Sequence, residues 1–115
     1  MSKESNENAS DAQRRERGRS MIDKLQGGQG PDEVFKLMAE MFPDFLKITE
    51  ERLFGDIWSR PGLSARDRSM VSLAIVVEKR YGDAAYIEFH NQLLKTHIRH
   101  ALNSGISRDE ILELF

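Results

Sequence analysis

Apolar residues recur at three- and four-residue spacing along most of the 115-residue chain, and no segment alternates in the manner of a strand. The pattern predicts an all-α fold. The opening, MSKESNENAS over residues 1–10, is polar and predicts a disordered tail. A helix is predicted from Asp11 to Leu25, with Met21, Ile22 and Leu25 as a short apolar stripe, until GGQGP at residues 27–31 breaks the chain. Pro31 at the first helical position, with Asp32 and Glu33 in the first turn, opens a second helix whose Val34, Leu37, Met38 and Met41 should be buried. Pro43 ends that helix and begins another, carrying Phe45, Leu46, Leu53, Phe54, Ile57 and Trp58 as far as a turn at residues 59–62.

The second half is more sharply punctuated. Ser64 with Asp67 three residues later marks a helix start, and Met70, Val71, Leu73, Ala74, Ile75, Val76 and Val77 make the helix that follows apolar on nearly all sides. Such a helix should be central. Gly82 caps it and Asp83 caps the next, in which Tyr86, His90, Leu93, His97 and Ala101 share one stripe and Gly105 is the terminator. The expectation is a central antiparallel helix pair over about residues 65–81 and 84–104. Ser107 and Glu110 form a capping box ahead of Ile111, Leu112, Leu114 and Phe115. The predicted organisation is the tail followed by a single helical domain over residues 11–115.

Composition narrows the functions. There is no cysteine, which removes disulfides, thiol nucleophiles, thiolate metal sites and CxxC redox chemistry. The net charge of -2 and a pI near 5.9 supply no basic face for nucleic acid or a membrane surface. Arg14, Arg15, Arg17 and Arg19, interrupted by Glu16, read as a solvated helix face. No apolar run approaches a membrane span and no secretory signal opens the chain, so the expected compartment is the cytoplasm.

One acid sits inside the longest apolar run, Glu78, and all three histidines follow it. If the two helices are antiparallel, Glu78 near the end of the first and His97 inside the second can face each other, and a carboxylate beside an imidazole prepares a proton-transfer site. The plainer reading makes Glu78 a solvated residue and His97 a core histidine. His90 and His97 stand about 10 Å apart on one helix, too far to share an ion, and His97 with His100 lacks a third ligand, so no metal site is expected. His100, two positions off the stripe, reads as a surface residue.

The order of three motifs then matters: FGDIWSRPGL at residues 54–63, RSMVSL at 68–73, and HIRHALNSG at 97–105 with SRDEI behind it. In that order they resemble the carboxymuconolactone decarboxylase family. The resemblance implies an AhpD-like helical fold and assembly into trimers or hexamers. One branch of the family contains thiol peroxidases with a CxxC pair. Laid on that pattern with His97 as its histidine, the two cysteine positions fall on His90 and Leu93 and the glutamate position on Glu78. The acid and base match and both thiols are absent, which leaves a proton relay without peroxidase chemistry.

The other branch converts 4-carboxymuconolactone to an enol-lactone in aromatic degradation. Such a substrate is its own electron sink, because the electrons released with carbon dioxide flow to the lactone carbonyl, and no cofactor is required. The resemblance therefore implies a cofactor-free lyase acting on a small carboxylated lactone, with His97 as proton donor, Glu78 orienting it, and His90 as a second polar wall. Arg68 or Arg60 would hold carboxylates through a planar fork. Arg68 has the alternative of pairing with an acid near a helix start, and Trp58 the alternative of anchoring a core or a subunit contact. The segment from Tyr81 to Gln92 is longer than in the decarboxylases, and family members usually continue through a further apolar helix after Phe115. The latter implies a truncated C-terminus, or a neighbouring subunit over Ile111 to Phe115. A catalytically silent helical module and an enzyme acting on another unsaturated lactone are the alternatives.

Overall fold

The computed structural model describes residues 10–79 and 84–114, with the side chains of residues 84–86 outside the description. All regular structure among the described residues is helical. The chain divides into two compact units, one ending at Ser64 and one beginning at Ala65. The tail before Ser10, and the caps expected at Gly82 and Asp83, lie outside the described residues.

Helix α1 runs Asp11–Leu25, the predicted span. Ser10 and Gln13 form its capping box, each side chain bonding the other's backbone N–H. Its end is a Schellman turn: the Gly28 N–H donates to the Asp23 carbonyl and the Gly27 N–H to the Lys24 carbonyl, with Gly27 at φ 67°. Helix α2, Glu33–Met41, starts two residues later than expected. Asp32 is its N-cap, accepting from the Val34 and Phe35 N–H groups, so Pro31 stands before the helix instead of in its first turn. The face it buries is also different. Phe35 is buried, while Leu37 and Met41 of the expected stripe are exposed.

Pro43 occupies the first turn of α3, Pro43–Ile48, which passes directly into a π-helix over Thr49–Ile57. The Trp58 N–H bonds the Leu53 carbonyl five residues back, the π register. This π-helix crosses α1 at two glycines. A Cβ on Gly18 would stand 1.7 Å from the Glu50 carbonyl oxygen, and one on Gly55 would stand 2.0 Å from the Arg14 carbonyl oxygen. Only backbone without side chains fits this crossing.

The crossing overturns the reading of the arginine run as a solvated face. Arg14 is buried and pairs with Asp11 at 3.3 Å. Arg15 pairs with buried Glu51 at 2.7 Å, Arg19 with Glu50 at 2.6 Å, and the Arg17 Nε donates to the Gly55 carbonyl at 3.0 Å. For Arg15, Arg17 and Arg19 a second helix brings acids and a carbonyl opposite, a match that sequence spacing within α1 cannot reveal. Phe35, Phe54 and Trp58 complete the unit's core, with ring centroids 6.1 Å apart for the first pair and 5.4 Å for the second.

In the second unit α4, Ala65–Glu78, and α5, Ala84–Asn103, are followed by the short α6, Arg108–Leu112. Ser69, early in α4, lies with its Oγ 3.1 Å from that of Ser104, just past the end of α5, so the pair is antiparallel as expected. Leu73, Ala101, Ile106 and Ile111 form the core, and Met70, Val77, Leu94, Ile98 and Leu114 pack around it. The Schellman turn after α5 uses Gly105 at φ 94°, with the Ile106 N–H bonded to the Ala101 carbonyl. The Ser107–Glu110 capping box is present, and Arg66 from α4 pairs with Glu110.

Helix α4 is not surrounded. Leu73 and Val76 are buried, but Val71 is 57% and Ile75 50% exposed. Within the unit it packs against α5 and the chain around α6, and such packing covers one side of a helix only.

Candidate functional site

The sequence-derived site residues fall in both units. Trp58 and Arg60 belong to the N-terminal one. Trp58 is buried against Phe54, and Arg60 reaches Asp56 at 3.5 Å across one helical turn. These are the packing and pairing roles that a tryptophan and an arginine take at a helix end.

The second unit carries Arg68, Glu78 and the three histidines. Arg68 sits half-buried in the first turns of α4, one residue before buried Ser69. Glu78 is the last residue of α4 and is exposed. Its neighbour Val77 packs on the core together with Leu94 of α5, so the C-terminal end of α4 lies beside the middle of α5. Antiparallel pairing therefore puts Glu78 on the part of α5 between the first and second histidines. His97 lies about one turn farther along α5 than Leu94.

Along α5 the histidines differ in exposure. His90 is 3% exposed, His97 is half-buried, and His100 is 3% exposed. The burial of His100 corrects its reading as a surface residue. Three positions past His97 it points about 60° away around the helix, toward buried Thr96. The stripe drawn through His90, His97 and Ala101 captured one margin of the covered arc and not the other. The His97 and His100 rings meet edge-to-face with centroids 5.9 Å apart. Their separation of three residues was the available signal, because positions i and i+3 are neighbours on a helix surface.

The arrangement offers one imidazole that reaches solvent, flanked along its helix by two that do not. A half-buried imidazole is accessible to a small molecule. Among the described residues no three His, Asp or Glu side chains converge to hold a metal ion, and no helix is long and apolar enough to cross a membrane.

The profile of the carboxymuconolactone decarboxylase family matches residues 43–115, from the first turn of α3 through the histidine helix to the last residue. The chain belongs to the carboxymuconolactone decarboxylase family. Two curated relatives agree with that membership. A 4-carboxymuconolactone decarboxylase from Acinetobacter baylyi is 27% identical over 90% of this chain and 71% of its own length. A nitrosuccinic acid decarboxylase from Metarhizium robertsii is 33% identical over 58% of this chain, which spans 41% of that relative's length. No solved structure gives a significant match. Glu78, His90, His97, Arg68, Trp58 and Arg60 all fall inside the family match. So do His100 and the glycine at position 55 that permits the helix crossing.

Proposed function

We propose that this protein is a cofactor-free carboxy-lyase acting on a small carboxylic acid that carries its own electron sink, of the 4-carboxymuconolactone type. The observation that carries this reading is the family match across the entire histidine helix, joined to two relatives that are both named decarboxylases. The substrates in those two names share one chemical property. A lactone carbonyl conjugated through the ring, and a nitro group, each accept the electron pair left behind when carbon dioxide departs.

On this reading the bond between the carboxylate carbon and the ring breaks, its electrons pass to the lactone oxygen, and carbon dioxide leaves. The resulting dienolate takes a proton at carbon from the His97 imidazolium, which gives the enol-lactone with its remaining carboxylate and leaves a neutral imidazole. His97 suits this task because it is the histidine on α5 that is neither sealed nor fully solvated. Glu78, contributed by α4, would favour the imidazolium form by its charge. Buried His90 would supply a fixed polar wall, and Arg68 would hold a substrate carboxylate through its guanidinium fork. Assembly into trimers or hexamers in the cytoplasm belongs to the same proposal, and the exposed Val71 and Ile75 supply apolar surface for subunit contact.

The deciding experiment follows carbon dioxide release, or loss of ultraviolet absorbance, from 4-carboxymuconolactone with the intact chain and with His97→Gln. Turnover that falls at least about 100-fold in the folded variant supports the reading, in line with the usual weight of a general acid. No turnover by the folded, assembled chain on this lactone or on nitrosuccinate would reject it. A second reading, a catalytically silent helical module of the same family, is favoured by the exposure of Glu78 at the end of α4. That module would remain folded and assembled with neither substrate consumed.

A further inference from the structure

A cavity of about 320 Å³ lies wholly within the N-terminal unit, and the lyase reading makes no use of it. Its size is within the range of small-molecule sites. Ile22 of α1, Phe35 and Ala39 of α2, and Leu46 of α3 provide an apolar wall. The Gly30–Pro31 turn closes one side, with Gly30 held at φ 80°.

The charges on the wall are what define the occupant. Arg19 and Glu50 line the cavity and satisfy one another, Nε to Oε2 at 2.6 Å, with the Glu50 side chain only 12% exposed. Asp23 on α1 and Lys36 on α2 also line it, and neither forms an ion pair with any described residue. The wall therefore sums to zero charge while presenting one uncompensated acid and one uncompensated base from different helices. A ligand with a lone carboxylate would match Lys36 and be repelled by Asp23. A ligand with a lone ammonium would meet the reverse difficulty. Asp23 and Lys36 are exposed residues, so an uncharged hydrocarbon would cover the apolar wall and forgo both attractions.

We propose that this cavity binds a compact zwitterion with an apolar body, of the chemical class of an apolar α-amino acid. Its ammonium faces Asp23, its carboxylate faces Lys36, and its hydrocarbon part lies against Ile22, Phe35 and Leu46.

The test is a titration of the full chain, followed by two-dimensional amide NMR, with three probes of one skeleton: L-phenylalanine, 3-phenylpropanoate and 2-phenylethylamine. The expected result is saturable shifts from L-phenylalanine clustered on α1, α2 and the start of the π-helix, with either half-molecule about threefold weaker or more, the worth of one exposed charge pair. Asp23→Asn should weaken L-phenylalanine about threefold and leave 3-phenylpropanoate no weaker, because the repelling acid is gone. Lys36→Gln should do the same for L-phenylalanine while sparing 2-phenylethylamine. No saturable shift from L-phenylalanine, shifts centred on other elements, or a half-molecule binding as tightly as the zwitterion would each overturn the proposal. The three-probe comparison uses the unaltered chain and so stands even if a variant fails to fold. Because the readout is binding, a failure here is distinct from a failure of the lyase reading.

Discussion

Glu110 illustrates how much a single exposed side chain can be tuned by local bonds. Its carboxyl is held below the ordinary glutamate value of 4.5, first by the backbone N–H of Ser107 and then by the Arg66 side chain. A depressed folded-state pKa stabilises the fold above the unfolded value, and that contribution disappears as pH falls through the lower folded value. Carboxyl NMR titration should therefore give Glu110 a pKa below 4.5, and Glu110→Gln should remove part of the stability loss seen on acidification below that point. His97 and His100 make a second comparison at this scale. If His97 is the proton donor, His97→Gln should abolish decarboxylation with the helix intact, whereas His100→Ala should lower the unfolding midpoint because it empties a buried site beside the His97 ring. A chemical denaturation series run beside the activity assay separates the two effects.

Among the helices, the crossing of α1 with the π-helix is the least forgiving. The atoms opposite the absent Cβ groups of Gly18 and Gly55 are backbone carbonyls, which cannot turn aside as a side chain would. Gly18→Ala and Gly55→Ala should each cost about 3 kcal/mol or more, seen as a lower urea midpoint, since overpacking at a rigid contact forces the helices apart. They should also loosen the Arg15–Glu51 and Arg19–Glu50 pairs that flank the crossing. In the other unit Leu73 stands at the centre of the core, and Leu73→Ala should cost about 2–5 kcal/mol by the same measurement. The glycine and leucine substitutions act by opposite means, the former adding volume where backbones touch and the latter removing it where side chains interdigitate.

For the whole molecule, the exposed apolar residues on α4 make a test of assembly. Val71 and Ile75 lie four residues apart on one face, and helix surfaces of this kind are commonly covered by another chain. If the proposed trimer or hexamer uses this face, Val71→Asp should reduce the sedimenting mass in analytical ultracentrifugation without lowering helicity. Unchanged mass would assign the subunit contact elsewhere. Decarboxylation measured on the same sample would show whether turnover requires the assembled state.

The amino-acid sequence alone specifies the all-helical class, the span of α1, the start of α4, the Gly105 terminator and the Ser107–Glu110 cap, because helix ends are set by local hydrogen bonds that a few adjacent residues supply. It also carried the family, through FGDIWSRPGL and HIRHALNSG. Which side of each helix is covered is set by the packing of one helix on another. Periodicity ranked Leu37 and Met41 above Phe35, treated the arginines of α1 as solvated, and left His100 at the surface. Each reversal has the same physical cause: a helix's apolar pattern records its own residues, while burial depends on what another helix brings opposite them. For α1 that was the π-helix, whose acids and bare glycine backbone meet it, a pairing between residues more than thirty positions apart.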